Sequence, residues 1–238
     1  MSNTPTLYLL PCPIAEGNND SLSKEAIDAI HSLTYFVVER ARTARRFIKT
    51  LNHPKPIQEL IIFELDKRDP KNGLHDFLNH LKQGHSIGIL SEAGCPGIAD
   101  PGALSVDWAH KNDIRVRPLV GPSSILLGLI ASGMNGQNFA FNGYLPNKSK
   151  DLGSKLKQLE AKVVREKQSQ IFMEAPYRNS FILENCINTL SPNIALCIAC
   201  DINAETEFIK TKKVKDWKGY DWSDLHKRPC IFIIGETS

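Results

Sequence analysis

The richest concentration of chemistry in this sequence is Ser91-Glu-Ala-Gly-Cys-Pro-Gly-Ile-Ala-Asp-Pro-Gly102, with three Gly, two Pro and two acids in one short segment. It follows the apolar run Ile87-Gly-Ile-Leu90 and precedes a helical pattern. A loop so punctuated at the carboxyl end of a strand lets backbone approach a ligand closely. In open α/β sheets that edge is where ligands bind. Gly121-Pro-Ser-Ser124 repeats the arrangement, again after a strand and opening an apolar helix. Free N–H groups in such a first turn suit a carboxylate or a hydroxyl-rich ligand, although ordinary capping by Ser123 accounts for the same residues. A third cluster, Met173-Glu-Ala-Pro-Tyr-Arg178, gathers polar side chains where a strand ends; a Pro-mediated turn is the alternative there.

The segment after Val38 carries Arg42, Arg45, Arg46 and Lys49 at i, i+3, i+4 and i+7, so the four charges share one helix face. Ala44, Phe47, Ile48 and Leu51 supply the opposite, core-facing side. In the sequence only Glu39 stands nearby to offset that charge, which makes a phosphate-bearing partner reasonable. Lys148, Lys150, Lys155 and Lys157 form a second basic stretch after Gly143-Tyr-Leu-Pro146. G-x-G-x-x-G, G-x-x-x-x-G-K-[ST], H-E-x-x-H and G-x-S-x-G do not occur, which disfavours the usual dinucleotide, nucleotide-triphosphate, zinc-protease and serine-hydrolase sites. The seven histidines show no ligand spacing and read as surface residues. Cys197-Ile-Ala-Cys200 has metal or redox spacing, but no second pair accompanies it and its apolar surroundings read as a buried strand. All six cysteines are expected as reduced thiols.

The elements that must position these residues alternate along the whole chain. Strands are expected at 7–10, 35–38, 60–64, 86–91, 115–119, 169–174, 194–200, 207–211 and 230–234. Helices are expected at 21–32, 43–51, 73–83, 102–111, 123–132, 152–167 and 179–189, with a short turn near 214–217 and with Ser21 and Ser123 as N-caps. The pattern is α/β, with mostly parallel pairing in the first half. It changes near Leu119-Val-Gly-Pro122, giving two expected lobes, 1–119 and 120–238. With 238 residues, 42% of them hydrophobic, the chain can bury a real core, which excludes wholesale disorder. A net charge of +3 permits an anionic partner without demanding one. No apolar run approaches the ~20 residues that span a bilayer, and residues 1–6 lack a secretory pattern. The expectation is a soluble, cytoplasmic protein with no metal requirement.

In this order the clusters resemble the tetrapyrrole (corrin and porphyrin) methylase superfamily, in the branch that methylates a cytidine 2′-hydroxyl of small-subunit ribosomal RNA. Leu7-Tyr-Leu-Leu-Pro-Cys-Pro-Ile14, Ser91 to Gly102, Pro118-Leu-Val-Gly-Pro-Ser-Ser124, Gly143-Tyr-Leu-Pro146, Met173-Glu-Ala-Pro-Tyr-Arg178 and Phe232-Ile-Ile-Gly235 carry the resemblance across nearly the whole chain. It implies a two-domain α/β fold of tetrapyrrole-methylase type, with S-adenosylmethionine in the inter-domain cleft, and a homodimer. Matching motif positions places the cofactor near Ile14, Glu92, Cys95, Ser123, Ser124, Met173, Cys200 and Cys230. RNA then falls to Arg42, Arg45, Arg46, Lys49 and Lys148, and the acceptor proton to Glu39, Asp100 or Glu174. Asp100 has an alternative as a helix cap and Glu174 as a partner of Arg178. The sequence departs from the family where Glu39-Arg-Ala-Arg42 stands for Glu-Asp-Thr-Arg, and where residues are added to the first loop, Pro13-Ile-Ala-Glu-Gly-Asn18. Two other readings stay open: methylation of a tetrapyrrole or other small molecule, and a non-catalytic protein that binds S-adenosylmethionine.

Overall fold

Short apolar runs bounded by Pro, Gly, Asn and Ser become strands, because β-branched and aromatic side chains pack well on a pleated surface. In the computed structural model, which describes residues 4–66 and 68–237, the chain divides into two units, Met1–Ser123 and Ser124–Ser238. The first unit alternates β1 (Thr6–Leu10), α1 (Lys24–Ser32), β2 (Tyr35–Val38), α2 (Ala41–Thr50), β3 (Ile61–Glu64), α3 (Leu74–Lys82), β4 (Ile87–Leu90), α4 (Ala103–Lys111) and β5 (Arg115–Pro118). The five strands form one parallel sheet in the order β3-β2-β4-β1-β5.

Period-two alternation sends Leu10, Phe36 and Val38 to one face, against Ala26, Ile30 and Ile48 of α1 and α2. Leu7, Val37, Ile87 and Ile89 face the other way, against Leu74, Leu78 and Leu81 of α3 and Trp108 of α4. Burial on both faces explains why β1, β2 and β4 read as continuous apolar runs. The connection from β1 crosses over β4 to reach β2, whereas the connection from β4 crosses over β1 to reach β5. Two adjacent strands whose chains leave in opposite directions open a crevice at their carboxyl ends.

The second unit comprises α5 (Ser124–Ser132), β6 (Phe139–Tyr144), α6 (Ser149–Glu166), β7 (Ser169–Met173), α7 (Asn179–Thr189), β8 (Ala195–Cys200), β9 (Phe208–Lys213) and β10 (Cys230–Gly235). Its sheet runs β6-β7-β10-β8-β9, parallel only between β6 and β7. Leu152, Leu156, Leu159 and Val163 of α6 and Ile182 and Leu183 of α7 pack on one face of the sheet with Phe172, Phe232 and Trp217. α5 lies on the other face, where Gly128 approaches Ile231, Ile233 and Ala199.

Three expectations need correction. β6 was expected as no element at all: Asn142 and Gly143 interrupt its apolar residues, and the ladder to β7 is irregular between Phe141 and Tyr144. The first helix starts at Lys24 and not at Ser21. Ser23 is its cap, accepting from the Ala26 N–H at 3.2 Å, while Ser21 sits in a 3-10 turn and donates to the Asn18 carbonyl. Leu22, buried between them, belongs to the same apolar cluster as Ile27, as a hydrophobic staple requires. Finally, two histidines are more than surface residues. His31 Nε2 lies 2.7 Å from the Leu51 carbonyl, and His53 Nε2 lies 3.1 Å from that of Ile30 and 3.2 Å from that of Leu33. Cys197 and Cys200 are fully buried in β8, as the apolar run indicates.

Candidate active site

The carboxyl edge of the first sheet is stitched together by backbone. After β1, Cys12 N donates to the Gly94 carbonyl at 2.8 Å, and Gly94 N returns the bond to Cys12 at 3.0 Å. This ties the loop Pro11–Ile14 to the loop after β4. The Cys12 thiol donates to the Ser91 carbonyl at 3.1 Å, and the Ser91 hydroxyl donates to Ala93 O at 3.2 Å. Gly94 holds φ +69, a left-handed conformation that side chains resist. The loop after β5 closes in as well: a Cβ on Gly121 would lie 2.0 Å from Cβ of Pro11, so nothing larger than glycine fits. The Cys95 thiol donates to Pro122 O at 3.4 Å. Ile14, Glu92, Cys95 and Ser123 thus all lie on this one edge, at the ends of β1, β4 and β5.

Glu39, at the end of β2, and Asp100, in the loop after β4, reach the same edge. Burial, then the negative charges of Glu39 and Glu92, push the Asp100 carboxyl up from its ordinary 3.8 to about 6. The Cys12 thiol is pushed up to about 12, first by burial and then by Glu92 and Asp100. Three carboxylates from two loops therefore share a negative field next to a buried thiol. A carboxylate so placed is a better proton acceptor than one in water, and such perturbed groups gather where chemistry is done.

The helix α2 leaves this edge. Its first N–H, on Ala41, donates to Glu64 Oε2 at 2.7 Å, so β3 supplies the acid that the helix's own first turn lacks. Arg42, Arg45, Arg46 and Lys49 are all exposed along one face. The sequence reading that Glu39 alone offsets them is incomplete. Arg46 Nη2 pairs with Glu16 at 2.9 Å, an acid contributed by the first loop.

On the second unit, Met173 ends β7 and stands opposite Ile231, while Cys200 ends β8 opposite Cys230 at the start of β10. These cofactor candidates therefore cluster at one edge of the second sheet. The hydrogen bond from Cys230 holds Cys200 below the usual thiol range; the same bond, with burial, pushes Cys230 up. Glu174 is 9% exposed. It accepts from Ala175 N at 2.8 Å and pairs with Arg178 Nε at 3.1 Å. Lys148 is exposed immediately before α6, and Ser124 opens α5.

No family model matches the chain. Curated relatives do. "Ribosomal RNA small subunit methyltransferase I" of Buchnera aphidicola subsp. Schizaphis graminum is 29% identical over 237 residues, covering 98% of this chain and 79% of the relative. The protein of that name from Vibrio cholerae is 30% identical over 209 residues, covering 88% and 69%. The chain belongs to the ribosomal RNA small subunit methyltransferase I family. It is a methyltransferase of the tetrapyrrole-methylase fold: the crystal structure of the methyltransferase CobJ superposes with a TM-score of 0.64 at 16% identity, covering 98% of this chain and 94% of that one.

Within this methyltransferase, three contributors escaped sequence reasoning. Glu16, in the first loop, and Glu64, at the end of β3, bind α2 from 30 and 23 residues away in the sequence, and no local spacing announces either pair. Asn179 is fully buried at the start of α7, where its Nδ2 donates to the carbonyls of Leu225 and Arg228, both at 2.7 Å, and so fixes the entry to β10. An Asn one residue beyond Tyr-Arg is a common cap signal and carries no mark of that role.

Proposed function

We propose that this S-adenosylmethionine-dependent methyltransferase modifies small-subunit ribosomal RNA at a cytidine 2′-hydroxyl, in the cytoplasm and as a homodimer. The observation that carries the substrate is the alignment of 88% of the chain, at 30% identity, with a relative whose name states that class. The residues present suit the cofactor. The negative charges of Glu39 and Glu92, which add to burial in raising the Asp100 pKa to about 6, complement a cationic sulfonium. Gly94 and Gly121 let the three loops at this edge pack against one another, Gly121 on Pro11 and Gly94 beside Pro122 and Ile14. On the first unit we assign Ile14, Glu92, Cys95 and Ser123 to the cofactor; on the second, Ser124, Met173, Cys200 and Cys230. Bound S-adenosylmethionine supplies an electrophilic methyl group.

The chain's own task is to align the acceptor oxygen and remove its proton. Asp100 is the best-placed base, because burial and its two acidic neighbours raise its affinity for a proton. Glu39 tunes it. Glu174 is committed to Arg178 and serves to shape its loop. Arg42, Arg45, Arg46, Lys49 and Lys148 bind phosphates, giving salt-dependent affinity. The dimer draws support from α5, which is apolar on every side and leaves Ile130 78% exposed.

The test is transfer of tritiated methyl groups to unmodified small-subunit RNA and to assembled subunits. Salt-sensitive incorporation is expected, with Asp100→Asn about 10²–10⁴-fold slower. Cofactor binding without transfer to either RNA refutes the substrate; no cofactor binding refutes the site.

A further inference from the structure

Three of the five tyrosines are packed. Tyr8 lies 5.8 Å from the Arg117 guanidinium, Tyr35 sits 4.7 Å from His80 and 4.8 Å from His85, and Tyr220 is 4.9 Å from Trp222. The other two, Tyr144 and Tyr177, are 64% and 67% exposed. Among the described residues neither has a ring, cation or hydrogen-bond partner. Both lie at the same edge of the second sheet. Tyr144 ends β6 in register with Met173 of β7, and Tyr177 occupies the 3-10 turn Pro176–Arg178 that follows β7.

Their two loops are fastened to each other. Arg178 Nη2 donates to Asn147 O at 3.3 Å, while its Nε pairs with Glu174 and its guanidinium lies 4.6 Å from the Phe181 ring. A third loop joins them, because Lys227 N donates to Pro176 O at 3.1 Å. The flanking charge is positive: Lys148, Lys150 and Lys227 are exposed, Glu174 is neutralised by Arg178, and Asp151 opposes them from the first turn of α6.

Exposed aromatic faces beside cations, on loops tied to each other, are the chemistry that binds unpaired nucleic-acid bases, which stack on rings while lysines meet the phosphates. The core of a protein-binding patch is depleted in charge; here the exposed residues of the linked loops include Asn147, Lys148 and Lys227. We propose that Tyr144 and Tyr177 form a stacking platform for unpaired bases of the substrate RNA, with Lys148 and Lys227 on its phosphates. This rests on the RNA reading above and adds to it the surface that grips the strand.

The test measures anisotropy of a fluorescein-labelled, single-stranded 12-nucleotide cytidine-rich RNA with the full chain across a salt series, alongside methyl transfer to small-subunit RNA. Tyr144→Ala and Tyr177→Ala are each expected to weaken binding about 5- to 100-fold while leaving the salt slope unchanged. Tyr→Phe at either position restores binding, and Tyr→Leu, equally apolar but without a ring face, does not. Lys148→Ala lowers the slope by roughly 0.7. Alanine variants that bind like the wild type while the wild type methylates RNA overturn the platform and leave the methyltransferase reading intact. Recovery by Tyr→Leu overturns stacking in favour of a plain apolar contact, such as one made to protein. A wild-type chain that neither binds nor methylates RNA overturns both.

Discussion

Replacing Asp100 by asparagine should make the protein more stable and less active at once. In the folded chain burial, then Glu39 and Glu92, raise the Asp100 pKa from 3.8 to about 6. That displacement corresponds to about 3 kcal/mol at about 1.4 kcal/mol per pH unit, and screening at a half-buried site reduces it to about 1–2 kcal/mol. The folded state holds this proton more tightly than the unfolded chain does. Stability therefore falls as pH rises between 3.8 and about 6, and stays lower above. Asp100→Asn, which never ionises, should gain about 1–2 kcal/mol over the wild type at pH 7.5 and nothing at pH 3.5, read from urea midpoints at both values. Its transfer rate should fall about 10²–10⁴-fold. Wild-type turnover at saturating cofactor should rise along a limb centred near pH 6, the value set for Asp100. Glu92→Gln removes one like charge and should move that limb to lower pH by less than about one unit, since burial is the larger cause. A stability gain equal at both pH values, an unchanged rate for Asp100→Asn, or a limb unmoved by Glu92→Gln would each refute the reasoning.

Gly121→Ala places a Cβ 2.0 Å from Cβ of Pro11; this overpacking should cost at least about 1–3 kcal/mol and lower the thermal midpoint measured by circular dichroism. Ile130→Glu puts a charge on exposed α5 and should convert the proposed dimer to monomer in sedimentation velocity; a dimer that survives it removes α5 from the interface, and a wild type that is monomeric refutes the dimer. Glu160 is buried, which opposes ionisation, but bonds from Lys157 at 2.8 Å and Ser191 N at 2.6 Å outweigh this and hold its pKa below 4.5. Glu160→Gln should cost about 1–3 kcal/mol at pH 7, and the difference should shrink as pH drops through the native pKa, where the wild type loses the same stabilisation.

The first unit was largely legible because its sheet is buried on both faces, so β1, β2 and β4 announce themselves as unbroken apolar runs ending in Pro, Glu or Ser. The edge strand β6 was not. It is half-solvated, interrupted by Asn142-Gly143 and irregular in register, and what makes it a strand is pairing with Gln170 and Ile171 of β7, 30 residues away. Helix ends were legible to within a few residues; the choice of Ser23 over Ser21 turned on burial of Leu22, which a list of cap residues does not contain. The candidate site was legible where it depends on backbone punctuation, as in Ser91 to Gly102. The charges that act on it were less so, since Glu16, Glu64 and the grouping of Glu39 with Asp100 depend on which strands lie side by side.

The pair of hydrogen bonds between Cys12 and Gly94 divides each of its loops into a fixed root and a tip. Everything from the strands up to the bridge is locked to two neighbours at once, so a residue inserted there would pull the Asp100 loop out of place. Beyond the bridge, length is cheap. The residues before Gly17-Asn18 all fall on that outer side, and one of them, Glu16, pairs with Arg46 on α2. The bridge thus fixes where both loops begin, so that a change in the contour of one tip is not passed back into the strands that carry it.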